Sequence, residues 1–145
     1  LQQVSKRLKQ LVRTGDVVAR LGGDEFGILM YYSDEVAAKQ VAKRICQQLS
    51  EHEFKWKKVK HNVSISIGIS TFSHSSKDIY EVMSQADAAC RLAKEEGRNR
   101  WHYFNSDDPQ VHILYSLFDF ISIPKFKELK KEEDEPTEHT EESIV

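Results

Sequence analysis

The sequence predicts an α/β domain in which helices pack on a mixed β-sheet. Apolar residues recur at helical spacing in three separate segments, and strict apolar–polar alternation runs through 62–72. Between the first two helical segments, a Gly-Gly pair separates two strand-like runs, as in a tight β-hairpin. The order is therefore helix, hairpin, helix, strand, helix, strand, which is typical of helices layered on a sheet.

The first half of the chain holds two helices and the hairpin. The first helical pattern runs from Leu1 to about Val12, and Arg13–Asp16 (RTGD) form the turn that follows. The hairpin occupies roughly 17–32, and the second helix starts after Ser33 or Asp34, either of which can act as its N-cap. The first helix has no capping residue before it, so we expect the sequence to begin inside a longer protein.

The second half alternates strands with a long helix. Segment 51–61 is a charged connection, with or without a short strand, and 62–72 is a predicted strand. A helix from about Lys77 to Glu96 ends at Gly97 in the C′ position, and 98–104 forms the closing strand. The predicted buried face of that helix consists of Ile79, Met83, Ala86, Cys90 and Ala93.

Beyond Phe104 the composition changes, and we divide the chain into a domain at 1–104, an apolar extension at 105–129 and an acidic, disordered tail at 130–145. The extension fits a helix docked on this domain, on a partner subunit or on another domain. Residues 1–104 carry 17 lysines and arginines against 12 aspartates and glutamates, whereas 105–145 carry 4 against 11. A mildly basic body suits an anionic ligand such as a nucleotide, although a generic solvated surface explains the surplus equally well.

Several function classes are excluded by composition. No stretch of the sequence approaches the ~20 apolar residues of a membrane helix, and we expect no signal peptide. Cys46 and Cys90 have no metal or redox spacing and lie on apolar helix faces, which indicates buried, reduced thiols. We expect a cytoplasmic segment with no membrane partner and no nucleic-acid polymer partner.

The segment RLGGDEFGIL (20–29) places two adjacent carboxylates, Asp24 and Glu25, at the hairpin tip. A tight turn needs glycine for its positive φ angles, but it does not need acidic residues. Either the two carboxylates are simply solvated, or a cation binds there.

Together with SISIGIS (64–70) and QADAACRLAKEEGRNR (85–100), the RLGGDEF segment resembles the GGDEF domain family, the diguanylate cyclases. The resemblance extends from residue 1 to about 104 and implies a nucleotide-cyclase-like, ferredoxin-type sandwich with an extra β-hairpin. The family's N-terminal strand and helix are missing, and with them Asp-x-Asp-x-Phe-Lys and the Asn and Asp that read guanine. Arg91 stands where the family usually has tyrosine.

The resemblance assigns roles to the residues around the hairpin tip. Asp24 and Glu25 would be the catalytic residues and the ligands of Mg²⁺ (or Mn²⁺), and hard oxygen ligands suit that metal. Gly22 and Gly23 would let the substrate GTP approach the backbone closely. The outer phosphates of GTP would contact Lys94 and Arg98. Judged on spacing alone, a helix C-terminus that favours cations explains these two basic residues equally well.

The RTGD turn resembles the family's inhibitory RxxD motif, which stands five residues before the first glycine of the signature. By this resemblance Arg13, Asp16 and Arg44 would bind the product, cyclic di-GMP. An arginine can grip a phosphate or a guanine edge bidentately. The alternative is an ordinary arginine–aspartate turn pair.

Two functions from different classes follow. The first is a diguanylate cyclase domain that condenses two GTP molecules as a homodimer, with product inhibition; this chain alone would be inactive because binding residues are absent. The second is an incompetent fragment or degenerate domain that binds cyclic di-GMP as a sensor. Synthesis of a mixed cyclic dinucleotide stays open, because the residues that read the base are not in the sequence.

Overall fold

The computed structural model describes residues 1–121, which form four helices and six strands. In chain order these are α1 (Gln2–Leu11), β1 (Val17–Gly22), β2 (Glu25–Leu29), α2 (Glu35–Ser50), β3 (Glu53–Trp56), β4 (Val59–Asn62), β5 (Ile67–Ile69), α3 (Ile79–Glu95), β6 (Trp101–Tyr103) and α4 (Pro109–Ile121). The predicted order of elements is confirmed, and the structure adds the β3–β4 hairpin and α4. The predicted acidic tail lies outside the described residues.

The strands form three separate two-stranded sheets. The pairs β1–β2 and β3–β4 are antiparallel hairpins, and β5 pairs with β6 in parallel, with α3 as the connection. Within residues 1–121 no strand joins one pair to the next, so the mixed sheet expected from the sequence is divided into three pairs in this part of the chain. Each pair has its own ladder of backbone hydrogen bonds, and packed side chains hold one pair against the next.

The main core lies between α1, α2 and the β1–β2 hairpin. Leu8 and Leu49 have no exposed surface, and Val18, Phe26 and Ile28 of the hairpin pack against this cluster. Burying a leucine-sized side chain contributes about 1.5–3 kcal/mol. The cluster therefore holds α1 firmly beside the hairpin that carries the signature.

Only the middle of the predicted strand at 62–72 pairs with another strand. Its inward residues nevertheless follow the predicted alternation, since Val63, Ile65 and Ile67 pack on the main core and Ile69 is buried. Gly68 lies directly against α3: a Cβ there would be 1.7 Å from the carbonyl oxygen of Ala86. Glycine is required because the strand and helix backbones are in contact.

The buried face of α3 differs from the predicted one. Ala93 is buried as expected and Met83, Ala86 and Cys90 are half-buried, but Ile79 is exposed, and the other buried residues are Val82, Ala88, Ala89 and Leu92. The prediction was incomplete because α3 is covered on a second side by α4, whose Val111 has no exposed surface and packs on Ala88 and Leu92. The helical part of the apolar extension therefore docks on the domain itself.

The described helices are too short or too polar to cross a bilayer.

The N-cap of α2 is Asp34, the second of the two predicted candidates, and its Oδ1 accepts a hydrogen bond from Ala37 N at 2.8 Å. Asp78 caps α3 in the same way through Glu81 N, also at 2.8 Å. Both long helices thus begin at a carboxylate that satisfies an otherwise unpaired backbone donor.

Candidate functional site

The signature segment folds into the predicted hairpin, with the acidic residues at its tip. Gly22 pairs with Glu25, so Gly23 and Asp24 form a two-residue turn, and the strand register shifts between Arg20 and Gly22. Gly22 and Gly23 have φ angles of 149° and 51°, values that favour glycine. Asp24 is exposed, and a Cβ on Gly23 would meet nothing within 4 Å. The backbone of the tip is therefore open to a ligand.

Arg20 fixes the shape of this turn. Its Nε and Nη2 both donate to the carbonyl oxygen of Gly23, at 3.0 and 2.6 Å. A guanidinium fork that grips one carbonyl holds the turn and places a positive charge next to Asp24. This role of Arg20 was not predicted from the sequence, although its position two residues before the glycines was a usable signal.

A cleft of about 400 Å³ lies between α1 and the hairpin. Arg20 and Phe26 form its hairpin wall, and Lys6 and Lys9 belong to the α1 wall together with Leu1, Gln2 and Ser5. The volume lies within the range of small-molecule sites. Three cations and an aromatic ring suit an anionic, planar ligand. The lysines were not predicted, because their contribution depends on how α1 docks on the hairpin.

Lys94 and Arg98 are both exposed at the end of α3, but they are not on one continuous helix. The helix ends at Glu95, and Gly97 follows the C-cap with a φ of 113°. Arg98 N donates to the carbonyl of Ala93 at 3.0 Å and Gly97 N to that of Lys94 at 3.4 Å, the pattern of a Schellman motif. The four-residue spacing of Lys94 and Arg98 therefore does not place them on one helix face, whereas the predicted C′ glycine is confirmed.

Among the described residues, neither Lys94 nor Arg98 forms an ion pair with a carboxylate. Glu96 instead pairs with Arg100 at 3.2 Å and lies 2.8 Å from Nε2 of His102. The hydrogen bond to His102 and the one to Arg100 lower the pKa of Glu96. No hydrogen bond or ion pair within residues 1–121 joins Lys94 or Arg98 to Asp24.

The three residues of the predicted inhibitory site do come together, at the turn that follows α1. Arg13 N donates to Asp16 Oδ2 at 3.1 Å, and Arg13 Nη2 donates to the carbonyl of Tyr31 at 3.0 Å. Arg44 Nη2 donates to the carbonyl of Leu11 at the end of α1. The Arg13 side chain is 56% exposed, but that of Asp16 is only 2% exposed. Arg13 can therefore reach a ligand, while the carboxylate of Asp16 organises the turn.

The two carboxylates at the hairpin tip can bind Mg²⁺ only if phosphate oxygens of a ligand complete its coordination. No group of three or more potential ligands among histidine, cysteine, aspartate and glutamate could hold a metal ion within the described residues. Mg²⁺ is usually bound through one or two carboxylates plus substrate phosphates, and Asp24 with its neighbour Glu25 supplies that smaller set. The tip suits a metal that arrives with a nucleotide rather than a permanent metal centre.

Neither cysteine belongs to this site. Cys46 is buried and Cys90 half-buried, and both are free thiols. Burial raises the pKa of Cys46 to about 11 and also raises that of Cys90. Cys90 Sγ donates to the carbonyl of Ser66 at 3.3 Å. The prediction of buried thiols is confirmed for Cys46 and in part for Cys90, and their reduced state stays a prediction.

Comparison with known proteins points to one family. The family model of the diguanylate cyclase GGDEF domain matches residues 1–100. The probable diguanylate cyclase DgcE of Escherichia coli strain K12 is 35% identical over 112 residues, which cover 77% of this chain and 10% of that protein. The chain spans only about a tenth to a quarter of the length of the curated relatives that it matches.

Solved structures show the same fold. The active GGEEF domain of a diguanylate cyclase from Vibrio cholerae superposes with a TM-score of 0.65 at 27% identity, covering 72% of this chain and 66% of that one. The GGDEF domain of DgcB from Caulobacter crescentus, solved in complex with c-di-GMP, gives a TM-score of 0.62 at 22% identity, covering 70% and 63%. The predicted cyclase-like α/β fold is thus confirmed.

Proposed function

Because the chain belongs to the diguanylate cyclase GGDEF domain family, we propose that it carries the metal and phosphate side of a site that condenses two GTP molecules into cyclic di-GMP. The observation that carries the proposal is the intact, open Gly-Gly-Asp-Glu turn beside a cleft with three cations. A module that only sensed the product would need neither the acidic pair nor Lys94 and Arg98.

In the proposed reaction, the 3′-hydroxyl of one GTP attacks the α-phosphorus of the other, and pyrophosphate leaves; repeating the step closes the ring. Asp24 accepts the proton of the attacking hydroxyl, and Arg20 keeps the turn that presents this carboxylate in place. Lys6 and Lys9 line the nucleotide cleft, while Lys94 and Arg98 bind the outer phosphates. Mg²⁺, when bound with the nucleotide, offsets the charge that develops on the phosphates. Each protomer brings one GTP, so two copies must meet.

Lys94→Gln tests the phosphate assignment. Losing a charged hydrogen bond to phosphate should raise the KM for GTP about ten-fold or more, with a smaller change in kcat. Initial rates of cyclic di-GMP formation by the intact gene product measure both constants. Arg100→Gln is the matched control, because Arg100 lies close by but is paired with Glu96; an equal KM effect in both variants would refute the assignment.

We further propose that Arg13 and Arg44 bind cyclic di-GMP as a product-inhibition site. Arg13 follows α1, Arg44 reaches from α2 to the Leu11 carbonyl at the end of α1, and the Arg13 side chain is more than half exposed. The c-di-GMP complex of the C. crescentus domain, which has the same fold, supports this ligand.

Arg13→Ala should weaken inhibition by added cyclic di-GMP about ten-fold or more while leaving the uninhibited rate unchanged, since one charged contact is lost. Titrating product into the GTP assay measures this effect. Lys43→Ala removes a neighbouring exposed charge from α2 and should leave inhibition as in wild type. Unchanged inhibition in Arg13→Ala would count against the site.

A further inference from the structure

The β3–β4 hairpin, here called the basic hairpin (53–62), projects from the domain. Every residue from Lys55 to Asn62 is exposed, whereas Phe54 at its base is buried in the main core. Gln3 Nε2 also donates to the carbonyl of Lys55 at 2.9 Å, which ties the base to α1. The hairpin is therefore a firmly anchored projection, and no residue of it lines the proposed nucleotide cleft.

Two features of the basic hairpin oppose its own stability. The turn residues Lys57 and Lys58 have φ angles of 46° and 67°, values that disfavour residues with a Cβ and that hairpins normally give to Asn-Gly. Lys55 and Lys60 face each other directly across the strands, an unfavourable pairing of like charges. Within the described residues only Lys60 has a carboxylate partner, Glu53 at 2.8 Å. Residues held in unfavourable local conformations are often found at functional sites.

The same hairpin displays an apolar pair among its lysines. Trp56 and Val59 are directly opposite each other, and they are 66% and 55% exposed. An exposed tryptophan with an aliphatic neighbour, next to the turn lysines Lys57 and Lys58, combines the two interactions of a membrane interface, while the Lys55–Lys60 pair lies on the opposite face of the hairpin. Tryptophan favours the headgroup level, and lysines close to the surface are attracted by anionic lipids.

We propose that the basic hairpin binds the surface of an anionic phospholipid bilayer. Trp56 and Val59 enter the headgroup region and Lys57 and Lys58 contact lipid phosphates, while Lys55 and Lys60 add positive charge close to the surface. This contact needs no membrane-spanning helix, and it replaces the expectation that the segment has no membrane partner.

Two other anionic occupants match the charge but not the apolar pair. In the acidic sequence 130–145 the only large aliphatic residues, Ile144 and Val145, stand at its end, and the stretch that carries the acidic charge, 132–142, has none to cover Trp56 and Val59. Single-stranded nucleic acid is usually held in a groove with stacking platforms, whereas this hairpin projects, and Val59 offers no stacking surface.

Vesicle co-sedimentation of the purified protein tests the proposal. We expect binding to vesicles of phosphatidylcholine and phosphatidylglycerol in equal parts, loss of binding at high salt, and none to phosphatidylcholine alone. The double variant Lys57→Asn/Lys58→Gly should weaken binding about 25-fold, about five-fold per lysine. Its thermal midpoint should be unchanged or higher, because Asn-Gly suits the turn. A loss of binding therefore cannot be attributed to misfolding.

Two further variants complete the test. Lys43→Asn/Lys77→Asn removes the same charge elsewhere and should bind as wild type does. Trp56→Thr should weaken binding and abolish the blue shift of tryptophan emission on anionic vesicles. No binding by wild type, or equal binding by the Asn-Gly variant, would overturn the proposal. Binding only after deletion of 130–145, or binding of single-stranded RNA in place of vesicles, would also overturn it.

Discussion

Asp24→Asn should lower kcat for cyclic di-GMP formation at least ~100-fold, the size of effect expected when a proton acceptor and metal ligand is lost. The amide keeps the volume of the side chain but removes the negative charge at the hairpin tip. Asp24 is exposed, so the free energy of unfolding should change by no more than about 0.5 kcal/mol. Initial rates with GTP and Mg²⁺, together with thermal unfolding, check both expectations.

The control for this substitution is Asp107→Asn, an exposed aspartate in the loop after β6, which should retain wild-type turnover. Binding of cyclic di-GMP should survive in Asp24→Asn, because Arg13 and Arg44 lie at the other end of the hairpin strands. If Asp24→Asn turned over GTP at the wild-type rate, the acidic pair would not be catalytic.

Gly68→Ala should destabilise the domain by about 3 kcal/mol or more. Overpacking a rigid site typically costs 1–3 kcal/mol, and here the added Cβ would lie 1.7 Å from Ala86 O and 2.4 Å from Cys90 N. Both are backbone atoms, so no side-chain rotation relieves the clash, and β5 must separate from α3. Thermal unfolding should show a midpoint at least ~10 °C lower.

Gly15→Ala is the matched control, because a Cβ at Gly15 meets nothing within 4 Å. Its free energy of unfolding should stay within about 0.5 kcal/mol of wild type. Equal stability of the two alanine variants would show that the close strand–helix contact does not determine the fold.

Local patterns predicted the hairpin, the N-cap of α2 and the C′ glycine correctly, since each depends on residues close together in sequence. The basic hairpin was taken for a connection because Lys57 and Lys58 are poor turn residues. The cleft lysines and the second buried face of α3 depend on how distant elements dock. Periodicity along a single element does not contain that information.

In the candidate site, too, some features were predicted from local sequence and others depend on the folded structure. The Gly-Gly-Asp-Glu tip and the cluster around Arg13 were found from motifs, whereas the grip of Arg20 on the Gly23 carbonyl required the folded turn. The burial of the Asp16 carboxylate could not be predicted either. The sequence RTGD does not indicate whether that side chain faces a ligand or its own backbone.

One measurement separates a cyclase from a sensor most directly. The intact gene product is incubated with GTP and Mg²⁺, and cyclic di-GMP and pyrophosphate are quantified. We expect two pyrophosphates per cyclic di-GMP, and at least ~100-fold slower formation of both products with Asp24→Asn. If wild type binds cyclic di-GMP but forms none from GTP, the domain is a sensor and the proposed chemistry at the hairpin tip is wrong.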